Sequence, residues 1–122
     1  MVDSKHVLII EDEPIIALEL ETLLGEIGFR SFAVADSPAT ALDSARVQRP
    51  QLITADYRII AGTGPEAIAL ITAALGAIPV IYVTGNPDLV DDPASPRVVD
   101  KPISLAALRR ACAYATSAAG SN

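Results

Sequence analysis

The chain has 122 residues, the length of one ordinary domain with a single core. Its formal net charge of −6 argues against direct binding to nucleic acid, which requires clustered lysine and arginine. One cysteine, Cys112, allows no internal disulfide, and the longest apolar runs are too short to cross a membrane. We therefore expect a cytoplasmic domain over residues 1–122, frayed at 118–122, with neither a membrane nor a nucleic-acid partner.

Five short apolar runs alternate with helical patterns along the chain: HVLII, SFAVA, QLITA, IPVIYVT and RVV. Runs that are almost continuously apolar are typical of parallel strands covered by helices on both faces. Alternating strands and helices with short connections predict an α/β fold with a doubly wound parallel sheet.

Helix boundaries follow from prolines and capping residues. Four prolines suit the first position of a helix, where the missing N–H is not needed: Pro14, Pro38, Pro65 and Pro87. The first helix has one apolar stripe and ends at Gly28; the stripe consists of Ile16, Leu20, Leu23, Leu24 and Ile27. In the last helix Ser104 can cap, with Leu105, Leu108, Cys112 and Ala115 facing inward. Between residues 86 and 97, three prolines and three aspartates leave room for only a turn or so of helix, so we expect a mobile segment.

Polar side chains follow four of the predicted strands. The first strand runs into Glu11, Asp12 and Glu13, and the third ends at Asp56. Thr84 ends the fourth strand, and Lys101 and Pro102 follow the fifth. Because ligands of open α/β sheets collect beyond the carboxyl ends of the strands, these groups are the candidate site.

The residue types suggest one chemistry. Carboxylates from separate loops suit Mg²⁺, which binds proteins through one or two carboxylates plus water and phosphate oxygens. Asp56 beside such an ion can act as a nucleophile toward phosphorus. The Thr84 hydroxyl and the Lys101 ammonium can then contact the phosphoryl oxygens.

Four segments, IIEDEP, LITADYRI, VIYVTGN and VVDKPIS, resemble the receiver domains of two-component response regulators, in the order typical of that family. The resemblance extends over nearly the whole chain. It implies a flavodoxin-like fold with strand order 2-1-3-4-5 and a phosphoacceptor that is not a conventional enzyme but catalyses its own phosphorylation and dephosphorylation.

The resemblance also implies a role for each site residue. Asp56 is the phosphoacceptor and, with Asp12, a direct ligand of Mg²⁺, for which Mn²⁺ could substitute. Glu11 acts on the metal through water, and the carbonyl oxygen of Arg58 completes the protein ligands. Thr84 and Lys101 bind the phosphoryl group, and the Lys101–Pro102 bond is cis. The phosphoryl donor is a histidine kinase or a histidine phosphotransfer protein, and the domain is a monomer or a weak dimer.

The chain departs from the family pattern at several positions. Ile60 stands where proline is common, although Gly64 keeps a later glycine. Val98 replaces the usual switch aromatic, as in a receiver subgroup with an aromatic-x-Thr-Gly motif, here Tyr82 to Gly85. Gly85 leaves the phosphoryl pocket open, and the stretch from Thr84 to Lys101 implies a shortened fourth helix. Because Val98 stands in place of the aromatic residue, rotation of an aromatic ring cannot be the readout of phosphorylation.

Three alternatives compete with a stand-alone regulator. The same domain could be a receiver excised from a hybrid histidine kinase. A Mg²⁺-dependent aspartyl phosphatase or phosphotransferase commonly has a second acid two residues after the nucleophile, where this chain has Arg58. A flavin-binding module would place phosphate near the EDEP segment, which repels it unless a metal intervenes.

Overall fold

The computed structural model describes residues 5–85 and 95–120, with side chains described up to residue 117. The elements in chain order are β1 (His6–Ile10), α1 (Pro14–Ile27), β2 (Ser31–Ala35), α2 (Pro38–Val47), β3 (Leu52–Ala55), β4 (Arg58–Ile59), β5 (Gly62–Thr63), α3 (Gly64–Leu75), β6 (Val80–Thr84), β7 (Val98–Asp100) and α4 (Leu105–Gly120). Within these residues, no helix has the length and apolar character needed to cross a membrane.

Five of the strands form one parallel sheet in the order β2-β1-β3-β6-β7. Counted along the chain without the two short strands β4 and β5, this is the predicted order 2-1-3-4-5, so the flavodoxin-like fold is confirmed. The order reverses between β1 and β3, and ligands of such sheets bind at this reversal.

Some details differ from the sequence-based predictions. The two short strands β4 and β5 form an antiparallel hairpin that the sequence did not predict. Pro65 is the second residue of α3 because Thr63 caps the helix, whereas Pro14 and Pro38 are first residues as predicted. The helix α4 runs to Gly120, and residues 121 and 122 lie outside the described residues. Pro87 and most of the expected shortened helix also lie outside them.

The helix caps explain where α2 and α3 begin. Ser37 and Thr40 form a reciprocal capping box at the start of α2, and Thr63 and Glu66 form another at the start of α3. Each box satisfies backbone N–H groups that a helix start leaves without partners. The polar cap of α3 follows directly on the hairpin, so it fixes the chain just after Asp56.

The core has one apolar layer on each face of the sheet. Alternate residues of β1 belong to opposite layers. Val7 and Ile9 face α1 and α4, and Leu8 and Ile10 face α2 and α3. The first layer also contains Leu20, Leu24, Leu52, Ile81, Val83, Leu108 and Cys112, and the second contains Ala41, Ala45, Ile53, Ile59, Ala67 and Ile71. Both layers bury strand residues completely, which makes the strand ends a firm base for the loops above them.

Candidate functional site

The candidate site lies where β1 and β3 end side by side. The Asp56 N–H donates to the Ile10 carbonyl at 3.0 Å, and the Glu11 N–H donates to the Ala35 carbonyl at 2.9 Å. These bonds extend the sheet ladder one residue beyond each strand. Both carboxylates are therefore held on a rigid backbone at the reversal of the strand order.

Lys101 joins the carboxylates from the other side. Its Nζ atom lies 2.8 Å from Asp56 Oδ2, 3.1 Å from Glu11 Oε1 and 3.5 Å from Glu13 Oε1. The side chains of Lys101, Asp56 and Glu11 are only 16%, 11% and 1% exposed, whereas that of Glu13 is 64% exposed. The contacts to Asp56 and Glu11 are consequently little screened by water, and the contact to Glu13 contributes little.

The Asp56 carboxylate is fixed by two donors. Its Oδ1 atom accepts the N–H of Tyr57 at 2.7 Å, and its Oδ2 atom accepts from Lys101. Glu11 is fixed in the same way, with its Oε2 atom accepting the Glu13 N–H at 3.2 Å. Such bonds set the orientation of a carboxylate before any substrate arrives.

Gly64 is required by the close approach of α3 to Asp56. A Cβ atom at position 64 would lie 2.1 Å from the Asp56 carbonyl oxygen. The Gly64 N–H also donates to the Tyr57 carbonyl at 2.7 Å. The start of α3 thus packs directly against the backbone that carries the nucleophile.

Carboxylate oxygens of Glu11, Glu13 and Asp56 lie within 4.8 Å of one another. Opposite oxygens around an octahedral Mg²⁺ are about 4.2 Å apart, so only a small contraction would let these residues hold the ion. When all three are ionised, their charge together with the Lys101 ammonium is −2, which a divalent cation balances. The donor set therefore fits the metal that the family resemblance implies.

Asp12 does not belong to this group of carboxylates. It lines a depression of about 290 Å³ beside Glu11, toward Asp36 and Thr40. Its expected role as a direct metal ligand stays a prediction, and the structure adds Glu13, to which the resemblance assigned no role, as a candidate.

The environment shifts two of the pKa values in the site. Burial raises the pKa of the Glu11 carboxyl above its ordinary value, against the opposing effect of Lys101. Burial alone would lower the pKa of Lys101, but hydrogen bonds to Asp56 and Glu11 outweigh it and raise that pKa. Lys101 therefore stays an ammonium at neutral pH and supplies a fixed positive charge next to Asp56.

The remaining predicted residues surround this centre. Thr84 is fully buried at the end of β6, and its carbonyl accepts the Lys101 N–H at 3.3 Å. The Lys101–Pro102 bond is cis, as predicted. Gly85 is exposed, and no atom of the described residues lies within 4 Å of a Cβ built there. Val98, half-buried, begins β7.

Arg58, whose carbonyl oxygen was predicted to bind the metal, lies in the unpredicted hairpin. It is exposed and pairs with Thr63 in the antiparallel β4–β5 ladder. Two-residue strands carry too little sequence pattern to predict, although the buried Ile59 beside an exposed Arg58 agrees with a strand. The ladder fixes the backbone at Arg58 two residues after Asp56.

Residues 7–113 match the family model described as response regulator receiver domain. The chain belongs to this family. Receiver domains are the modules of two-component signalling that carry an acidic phosphoacceptor site, and the cluster around Asp56 agrees with that assignment.

Among curated proteins, the phyllosphere-induced regulator PhyR of Methylorubrum extorquens is 37% identical over 87 residues, covering 70% of this chain and 32% of that protein. Among solved structures, a double mutant of the anti-anti-sigma factor PhyR from Bartonella quintana is 26% identical with a TM-score of 0.83, covering 96% of this chain and 50% of the other. The receiver thus spans about half of these PhyR-type proteins or less.

A second solved structure is a receiver domain by itself. It comes from a sensor histidine kinase of Pseudomonas aeruginosa and has a magnesium ion coordinated in its active-site cleft. The identity is 25%, the TM-score is 0.78, and the match covers 94% of this chain and 99% of the other. A homologous receiver therefore binds the metal that the donor set here suits.

Proposed function

We propose that Asp56 accepts a phosphoryl group from a histidine kinase or a histidine phosphotransfer protein, in the presence of Mg²⁺ or Mn²⁺. The observation that supports this most is the Asp56 carboxylate, on a side chain that is 11% exposed and held by Lys101 beside Glu11 at the reversal of the strand order. A largely buried cation beside a nucleophilic carboxylate, here Lys101 beside Asp56, suits a site that must accept a doubly charged phosphoryl group.

In the proposed transfer, an Asp56 carboxylate oxygen forms a bond to phosphorus while the bond from phosphorus to the donor imidazole nitrogen breaks. The electron pair of that bond leaves with the imidazole. The Lys101 ammonium, already 2.8 Å from Asp56 Oδ2, contacts a phosphoryl oxygen and offsets its charge. Thr84 supplies a hydroxyl to a second oxygen. A bound magnesium ion would neutralise further phosphoryl charge.

Magnesium would be held by Asp56, by Glu11 directly or through water, and by the carbonyl of Arg58, with Asp12 or Glu13 as a further carboxylate ligand. Asp12→Asn and Glu13→Gln distinguish the two candidates because each removes one negative charge. Titration with Mn²⁺, followed by the paramagnetic signal of the free ion, measures affinity directly. The variant with the larger loss identifies the ligand.

The test of phosphoryl acceptance uses phosphoramidate, a small donor with a phosphorus–nitrogen bond like that of phosphohistidine. Incubation with Mg²⁺ should give a single phosphoryl adduct in the intact mass of the protein, which disappears when the metal is chelated. Asp56→Asn should give none, and Asp43→Asn, the same substitution at an exposed position of α2, should react like the wild type. An adduct of equal yield in Asp56→Asn would refute the proposal.

We further propose that phosphorylation switches partner binding by drawing Lys101 away from Glu11. With Val98 in place of an aromatic residue, β7 offers no ring to rotate, so the loop that carries Lys101 is the candidate readout. The PhyR-type relatives make a sigma-factor regulator one candidate partner. The similarity to the receiver of a sensor histidine kinase from Pseudomonas aeruginosa supports the alternative that this domain is a receiver excised from a hybrid histidine kinase. In either setting we propose a cytoplasmic location.

A further inference from the structure

A cavity of about 830 Å³ opens at the amino ends of the strands, at the opposite end of the sheet from Asp56. Its walls come from the segments that lead into β1, β2, β3 and β6 and from one face of α4. None of the residues assigned to phosphoryl transfer lines it. Its volume lies within the range of about 300–1,000 Å³ typical of small-molecule sites.

The charged side chains that line this cavity are all cationic: Lys5, Arg49 and Arg109. This contrasts with the whole chain, in which 15 acidic residues outnumber 9 lysines and arginines. Among the described residues, no carboxylate lies within ion-pair distance of Arg49 or Arg109. The cavity is thus a local positive region on an acidic protein.

Arg49 is held in place at this region. Its guanidinium donates to the carbonyl of Leu75 and, at 3.4 Å, to that of Ala77, at the end of α3. These bonds use two of the five N–H donors of a guanidinium. A planar cation fixed in this way presents a preorganised surface to an anion.

The rest of the wall is largely apolar. Ile27 and Phe29 come from the end of α1 and the segment after it, and Ile78 comes from the segment before β6. Burial raises the pKa of the Cys112 thiol to about 11, so this lining residue is neutral at physiological pH and acts as a small apolar group. The cavity therefore joins cations to an apolar surface.

From this combination we infer that the cavity binds a small organic anion with an apolar body, its anionic group toward Arg49 and Arg109 and its body against Phe29 and Ile27. Inorganic phosphate would fill only a small part of the volume and leave the apolar wall in water. The site does not depend on phosphoryl transfer at Asp56, so either proposal can fail without the other.

Two fluorescent probes test the inference. Anilinonaphthalene sulfonate is an aromatic anion, and phenyl-naphthylamine has the same aromatic body without the charge. The wild type should bind one sulfonate probe per chain, about tenfold more tightly than the neutral probe, as one charge-assisted contact implies. Added salt should weaken binding of the sulfonate alone.

A matched pair of variants locates the site. Arg109→Gln removes a lining cation and should weaken sulfonate binding about tenfold. Arg110→Gln removes the same charge from the next residue of α4, which is exposed like Arg109 but lies outside the cavity wall, and it should leave affinity unchanged. Ala113→Leu should narrow the cavity and weaken both probes. Chemical shifts on titration should change at Gly28, Phe29 and Gln51.

Absence of saturable binding, equal affinity for the two probes, or equal losses in Arg109→Gln and Arg110→Gln would each overturn the inference. Shift changes confined to Glu11 and Asp56 would also overturn it, because they would place the anion at the other end of the sheet. Asp56→Asn should bind the sulfonate probe like the wild type, and its loss of binding would count against a separate site.

Discussion

Replacing Gly64 with alanine should damage both the stability and the reactivity of Asp56. The new Cβ atom would lie 2.1 Å from the Asp56 carbonyl oxygen, 3.1 Å from the carbonyl carbon and 3.3 Å from the Ala55 Cβ atom. Relief of the first contact requires a displacement of at least about 0.9 Å, because contacts below 3.0 Å are essentially never found. The nearest atoms are backbone, which cannot rotate away, so α3 and the end of β3 must separate.

The expected cost follows from that displacement. Overpacking of this kind lowers the free energy of unfolding by about 1–3 kcal/mol. A misplacement of about 1 Å can reduce a reaction rate about 100-fold. Urea denaturation measures the first quantity, and the initial rate of adduct formation with phosphoramidate and Mg²⁺ measures the second. We expect a loss in both.

Gly25→Ala is the matched control. Gly25 lies inside α1, and no atom of the described residues lies within 4 Å of a Cβ built there. Alanine should therefore stabilise the helix by about 0.5–1 kcal/mol and leave the phosphorylation rate unchanged. A Gly64→Ala protein as stable and as reactive as the wild type would refute the proposed close packing of α3 behind Asp56.

Three further predictions address charge and burial. Lys101→Met should lower the free energy of unfolding in chelator by about 3 kcal/mol, because two largely buried carboxylates lose their cation. Mg²⁺ should stabilise this variant more than the wild type, because the carboxylates then carry one more uncompensated negative charge; equal gains would contradict this electrostatic coupling. Thr54→Val should stabilise the protein by about 1 kcal/mol in urea denaturation, because the buried Thr54 hydroxyl has no hydrogen-bond partner among the described residues. A lower free energy of unfolding would mean that this hydroxyl has a hydrogen-bond partner in solution. Burial lowers the pKa of His6, so protons bind the unfolded chain more readily than the folded one. The free energy of unfolding should therefore fall as the pH drops below about 6.5, the ordinary pKa of histidine. His6→Gln should lack this fall, and parallel curves of unfolding free energy against pH for the two proteins would disprove the prediction.

The sequence was sufficient to predict the sheet because its strands are almost continuously apolar and alternate with helices whose starts are marked by proline. The run HVLII, for example, is buried at all five positions and pairs with strands on both sides. Patterns of this kind reflect burial on two faces, which a parallel sheet covered by helices on both sides provides. The same argument placed Asp56 and Lys101 at one edge, where they form an ion pair.

Features that depend on a few backbone angles were not predictable. The hairpin turns at Ala61, which has a φ of 61°, a conformation that alanine rarely adopts. The contact between Glu13 and Lys101 depends on which of three consecutive acidic side chains point toward the buried side of the loop and which point toward solvent. The pattern of hydrophobic residues does not encode this. The family pattern explains Gly64 only as a retained glycine, because the close approach of α3 to Asp56 is a three-dimensional feature that the local sequence does not encode.

The most direct test of the central claim is chemical identification of the phosphorylated residue. After reaction with phosphoramidate and Mg²⁺, borohydride reduces an aspartyl phosphate to homoserine, and peptide mass spectrometry finds the changed position. We expect homoserine at position 56 in the wild type and none in a sample treated without the phosphoryl donor. Phosphate found stably on His6 or on a hydroxyl side chain, with Asp56 unchanged, would contradict it.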